Sequence, residues 1–160
     1  MTTHKVNNHS YSHIEIKTPH NANDNVVSIN NLYIVKSVNA DLAEYYEADQ
    51  KYEPGTVLEF GGDNEVTLAT DGTNRVAGVV STYPAYAMNA NCKGIATAIA
   101  LQGRVPCKVI GPVAKGDLMV SAGFGYAKTN NNPAVGQVLG KSLADFSGAK
   151  GVIEVVIGRF

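Results

Sequence analysis

The chain has 160 residues, a net charge of -1, and 17% charged against 44% apolar side chains; ordinary soluble domains carry about 25% charge. A chain of this length makes one domain, or one domain with an appendage, and needs neither a metal nor a disulfide to fold. No Lys/Arg run occurs, which argues against nucleic-acid binding through clustered phosphate-neutralising cations, and no stretch approaches the roughly 18 apolar residues of a membrane-spanning helix. The polar start, MTTHKVNNHS, has no apolar signal-peptide region, so synthesis and assembly in a cytoplasm are expected.

Residues 1–31 are rich in Asn and hold all four histidines. Within them Tyr11–Lys17 alternates polar and apolar groups with period 2, which predicts a half-buried strand and makes Tyr11, Ile14 and Ile16 candidate interface residues. Val26–Ile29 and Leu32–Val38 offer two more short strands. An arm that buries little apolar surface by itself must lie on another domain or a neighbouring subunit. The spacings of His4, His9, His13 and His20 match no metal-ligand pattern. They are read as polar surface or inter-subunit contacts, and no metal or other cofactor is assigned.

Asp41-Leu-Ala-Glu-Tyr-Tyr-Glu-Ala-Asp49 admits two readings. It is either a helix capped by Asn39 or Asp41, or an extended linker carrying Tyr45 and Tyr46. Residues 1–50 therefore read as an N-terminal arm and linker, and residues 51–160 as the folded domain.

From Tyr52 onward, short apolar runs alternate with turn signals. Pro54-Gly55 precedes Thr56–Phe60; Gly61-Gly62-Asp63-Asn64 and Asp71-Gly72 flank Glu65–Ala69. Arg75–Val80 reads as a largely buried strand. Ile95–Leu101 and Gly103–Ile110 read as two arms of a hairpin about Gln102-Gly103, with Val105, Cys107 and Val109 on one face and Arg104, Pro106 and Lys108 on the other. Leu118–Val120, a tight segment around Gly123 and Gly125, Val135–Leu139 and Gly151–Ile157 complete the series. Turns every ten residues or so indicate an all-β small barrel or sandwich of short antiparallel strands. The last strand, Val152–Ile157, is apolar on both faces except at Glu154 and must be covered. Ile153, Val155 and Ile157 are therefore candidate interface residues.

The chemistry is sparse. Two cysteines, Cys92 and Cys107, form no CxxC pair; a bridge between them is conceivable, and the competing reading is two reduced thiols with Cys107 packed as a small apolar group. Ser81 with Lys108 or Lys115 could in principle form a Ser/Lys dyad, but no GxSxG, HExxH or Walker loop is present. The carboxylates of Glu44, Glu47 and Asp49 beside Tyr45, Tyr46 and Tyr52 suit either a sugar-binding cleft or a linker whose rings pack on the barrel. Tyr83-Pro-Ala-Tyr86 reads as a loop anchor or an interface. No catalytic residue is assigned, and the chain reads as a non-enzyme.

One ordered string of residues carries a resemblance. Ala40–Asp49, Glu53–Val57, Arg75–Thr82, Pro84–Tyr86, Met88-Asn89, Leu101–Lys108, Gly111–Leu118 and Gly140–Leu143 together resemble a module of tailed bacteriophages, foremost those of marine bacteria and cyanobacteria, that ends fibre-like virion proteins. More distantly the string is similar to auto-processing chaperone caps of trimeric phage fibres. The resemblance covers about residues 40–160. It implies a virion structural protein at a fibre end, with itself as partner in a trimer, other virion proteins as neighbours and a host surface glycan as a further candidate. The short length leaves a capsid decoration protein, held by its N-terminal arm, as one alternative and a self-cleaving peptidase domain as another. No nucleophile of the chaperone caps maps onto these residues.

Overall fold

A computed structural model describes residues 40–158 and the strands β1 (Thr2–Val6) and β2 (His9–His13). β1 and β2 form an antiparallel pair in which Tyr11 stands opposite His4. Ile14, Ile16, His20 and the strands expected over 26–29 and 32–38 lie outside the described residues.

The compact unit that follows begins at Ser37 and is all β, with no helix among the described residues. Its strands are β3 (Asp41–Ala48), β4 (Val57–Phe60), β5 (Val66–Leu68), β6 (Val76–Val80), β7 (Tyr86–Met88), β8 (Ile95–Ile110), β9 (Leu118–Gly123), β10 (Tyr126–Thr129), β11 (Val138–Ser142) and β12 (Lys150–Ile157). Residues 41–49, expected as helix or linker, thus supply a strand. β3 runs antiparallel to β8 along its whole length, from Asp41 opposite Gly103 to Ala48 opposite Ile95. The local preference of Leu, Ala and Glu for helix yields to that ladder, and the folded unit starts before residue 51.

β8 organises the unit. Its 16 residues form one continuous strand rather than the expected hairpin, because Gln102-Gly103 bends the chain without reversing it. Leu42 pairs with Gln102 and Ala43 with Ala100, so Leu101 is the extra residue of a β-bulge, a device that bends a strand and increases its twist. Gly103 has φ 106°, and a Cβ there would collide with the Ala40 carbonyl oxygen. Only glycine combines that dihedral with so close a backbone approach.

On either side of the bend β8 serves different partners. Its second half pairs with β12, then sheet order continues through β11, β9 and β10, and a parallel contact between Ala127 and Val109 returns β10 to β8. Five strands thereby close a barrel. The first half pairs with β6 and β3, and β4 and β5 complete a second ring, closed by a parallel contact between Ala48 and Val66. Most ladders are antiparallel, as the turn spacing predicts; β3–β5, β3–β7 and β8–β10 are parallel.

The expected alternation over 103–110 is present: Val105, Cys107 and Val109 are buried, and Arg104, Pro106 and Lys108 are not. The inward set packs with Met119, Leu139 and Val155 in the barrel core. A second core lies in the other ring, where Leu58, Val66, Val80 and Ile99 meet Tyr46, Tyr52 and Leu68. Successive residues of β4 and β6 point into different cores, Val57 and Val79 into the first and Leu58 and Val80 into the second. Both strands are therefore covered on two faces, which explains the near-continuous apolar run at 76–80. Full burial of a side chain such as Leu58 contributes about 1.5–3 kcal/mol.

Residues 135–137 are a loop, and β11 starts only at Val138; Pro133 and Gly136 hold the chain in a turn in which the Ala134 N–H donates to Gln137 Oε1 at 2.8 Å. The buried carboxylate of Glu59 is fully bonded: it accepts from the Thr70 N–H (3.0 Å) and hydroxyl (2.9 Å) and from Arg75 Nη2 (2.8 Å). Burial would raise its pKa, but the amide of Thr70, the hydroxyls of Thr73 and Thr70 and the Arg75 charge hold it below the ordinary carboxylate value.

Candidate functional site

β7 has one strand neighbour. It lies parallel to β3, with Leu42 opposite Tyr86 and Glu44 opposite Met88, and no other described strand pairs with its far side. Two hydrogen bonds anchor its ends: the Ala85 N–H donates to the Asp41 carbonyl at 2.8 Å, and the side-chain amide Asn89 Nδ2 donates to the Tyr45 carbonyl at 2.8 Å. Tyr83 is 76% exposed and Tyr86 65% exposed. A free strand edge exposes backbone donors and acceptors, and exposed tyrosines supply large contact area at little conformational cost. The edge can therefore contact another macromolecule without rearranging.

The other expected contact residues divide sharply. Ile153, Val155 and Ile157 are buried at 8%, 0% and 5% exposure in this chain's own core, so they offer nothing to a partner. β12 lies between β8 and β11, and the barrel interior takes the face that carries them. Tyr45 and Tyr46 are half-buried. The Tyr46 ring meets Phe60 edge-on at 5.4 Å, and its hydroxyl donates to Glu44 Oε2 at 2.8 Å. Burial, then the bonded and charged Glu44, push that phenol up to about 12.

The acid and aromatic groups near residues 44–52 mostly satisfy one another. Asp49 accepts from the Tyr52 hydroxyl at 2.6 Å and from the Thr67 hydroxyl at 2.7 Å. Burial works against its charge, yet these two hydroxyls outweigh it and hold the carboxyl below its usual range. Such closed pairs stabilise the β3–β5 contact and leave few groups free to grip a sugar.

Ser81 is buried and its Oγ has no hydrogen-bond partner. Lys108 Nζ donates instead to Thr56 Oγ1 at 2.9 Å, and the Lys115 backbone N–H donates to Asp145 Oδ1 at 2.9 Å. The Ser81 dyad is thus not assembled by either lysine. Cys92 and Cys107 are both free thiols; burial pushes the Cys107 thiol up to about 12 despite the Lys108 charge, so it packs as an apolar group. Among the described residues no group of three or more His, Cys, Asp or Glu is placed to hold a metal ion.

Sequence reasoning passed over Phe124, treated only as part of a glycine turn. The side chain is 86% exposed, and Val135 in the 135–137 loop is 98% exposed. The signal was the residue type itself: an aromatic between two glycines, where a turn usually takes Asn or Asp. Fold and surface together define an all-β module of two rings about one shared strand, with an aromatic free edge. No protein-family model matches the chain, and no curated protein matches it.

Proposed function

We propose that this chain is a non-enzymatic structural module of a tailed-phage virion, at or beside a fibre end, that acts by associating with copies of itself, as a trimer. The observation that carries the reading is the β7 edge, where Tyr83 and Tyr86 stand exposed beside a strand side that no described strand pairs with. Two further features support it. The residues that resemble the phage module, about 40–160, fall within one compact unit beginning at Ser37. The hydroxyl weighed as a nucleophile, Ser81, lacks a bonded base. A free edge in a protein with few charges needs a cover, and a neighbouring copy is the partner present at the same concentration wherever the chain is made.

Sedimentation equilibrium of the full chain at micromolar concentration tests this. The expected mass is three times 16.9 kDa; a monodisperse monomer would count decisively against the proposal. Labelled antibody on intact virions should mark the tail rather than the head. Intact mass after long incubation should show one unclipped chain.

A further inference from the structure

We infer that the gap in the sheet beyond Ser81 is a binding site for an extended peptide segment of another protein, one that carries an acidic and a basic side chain two residues apart. The inference does not depend on the self-association proposed above.

The first observation is backbone left without a ladder. Ala96 stands opposite Glu47 in the β3–β8 pairing. Glu47 turns its own backbone away from β8: its N–H donates to Glu65 Oε2 at 2.8 Å, and its carbonyl accepts from the Glu65 N–H at 3.0 Å. Residues opposed in this way in an antiparallel pair both point their backbone groups outward, so the Ala96 N–H and carbonyl face away from β3. On that side the neighbour of β8 is β6, and their pairing ends at Val80 opposite Ile99. A last rung runs from the Ser81 N–H to the Ala98 carbonyl at 2.9 Å. No described strand continues the line of β6 past Ala96.

The second observation is a cavity at that place with an unsatisfied polar group in its wall. It measures about 500 Å³ and is bordered by residues 94–98 on one side and 51–54 on the other, within the ~300–1,000 Å³ of ligand sites. Ser81 lines it, is 6% exposed, and its Oγ has no hydrogen-bond partner. A buried hydroxyl left unpaired costs stability that a ligand's amide or carbonyl restores. A peptide lying there takes up the line of β6, exchanges main-chain hydrogen bonds with Ala96 and meets the hydroxyl, which donates or accepts.

The third observation is charge. Lys51 and Glu53 belong to the opposite wall, exposed on either side of Tyr52, which packs on the second core. Neither forms an ion pair among the described residues. Side chains two apart on an extended segment share a face, so a ligand strand with its own opposite charges two apart is complementary to both.

The test uses the full chain, labelled for nitrogen–proton correlation spectra, and two N-acetylated, C-amidated pentapeptides, TEVKT and TKVET, at up to millimolar concentration. One order should bind better than the other. It should shift the Ala96 amide and slow its hydrogen exchange at least about tenfold, while the amides of β12 stay unchanged. Ser81→Ala should hold or raise the melting temperature and weaken the peptide about two- to tenfold. Exchanging the wall charges, Lys51→Glu with Glu53→Lys, should reverse the preferred order, by about two- to fivefold. No movement at Ala96 with either peptide overturns the inference, as does a response that survives S81A or the charge exchange unaltered. A shift at Ala96 produced by glucose and by neither peptide also overturns it and gives the cavity to a sugar.

Discussion

The barrel and the second ring share β8 and are closed alike, each by one parallel pair, Ala127–Val109 and Ala48–Val66, and each has a ladder of eight paired positions on β8, with β12 and with β3. They differ in their cores: the barrel's gathers 14 buried residues and the ring's five. Local stability follows buried apolar contact and paired backbone, so the barrel should open last and the ring first. β7, whose far side no described strand pairs with, borders the ring through β3. A partner bound there would stabilise the part of the molecule with the smaller core.

Four measurements would break or sharpen that contrast. The largest effect is expected at the bend both halves depend on: Gly103→Val adds a branched side chain at positive φ against Ala40 and should cost more than about 3 kcal/mol in urea unfolding. Retention of the wild-type midpoint would mean that β8 is not the shared element. Next come the two cores. Leu58→Ala and Leu139→Ala should each cost about 2–5 kcal/mol, but hydrogen exchange should separate them, with L58A accelerating β3–β6 and sparing β12, and L139A accelerating the whole unit. Equal acceleration everywhere by both variants would show one cooperative body.

Glu59→Gln should cost about 1–3 kcal/mol, since it removes the charge that Arg75 and the threonine donors serve. The native pKa of Glu59 is lowered. Its contribution is therefore complete above the unfolded carboxylate value, near 4.3, and is lost as pH falls through the lower native value. Wild type and E59Q should converge in stability at acid pH; a gap that persists there would remove the charge from the account. The smallest effect on folding is expected at the edge. Tyr83→Ala with Tyr86→Ala should leave the midpoint within about 0.5 kcal/mol, because both rings are in solvent, and should weaken association if the edge is the contact. Unchanged association would move the contact elsewhere.

Part of this architecture is legible along the chain because the forces that make it are local. Glycine-marked turns and period-2 alternation locate β4, β6 and the second half of β8, and place Cys107 inside. Other features depend on residues far apart in sequence. Asp41–Ala48 contains good helix formers, and only the ladder with β8 makes it a strand. Gln102-Gly103 has the composition of a reversal, and only the approach of Ala40 shows why it is a bulge. Of the candidate site, Tyr83 and Tyr86 are exposed, while Ile153, Val155 and Ile157 are spent on the chain's own core. Phe124 was visible as an odd residue in a turn, but its exposure was not.

Residue pattern by itself determined that the domain is all β, where its turns fall, and which face of each strand is apolar. Such facts follow from backbone dihedral preferences and side-chain alternation, which act over a few residues. Tertiary structure alone decided what covers each apolar face. β12 is enclosed between β8 and β11, and no described strand covers the far side of β7, because strand neighbours are chosen by long-range pairing.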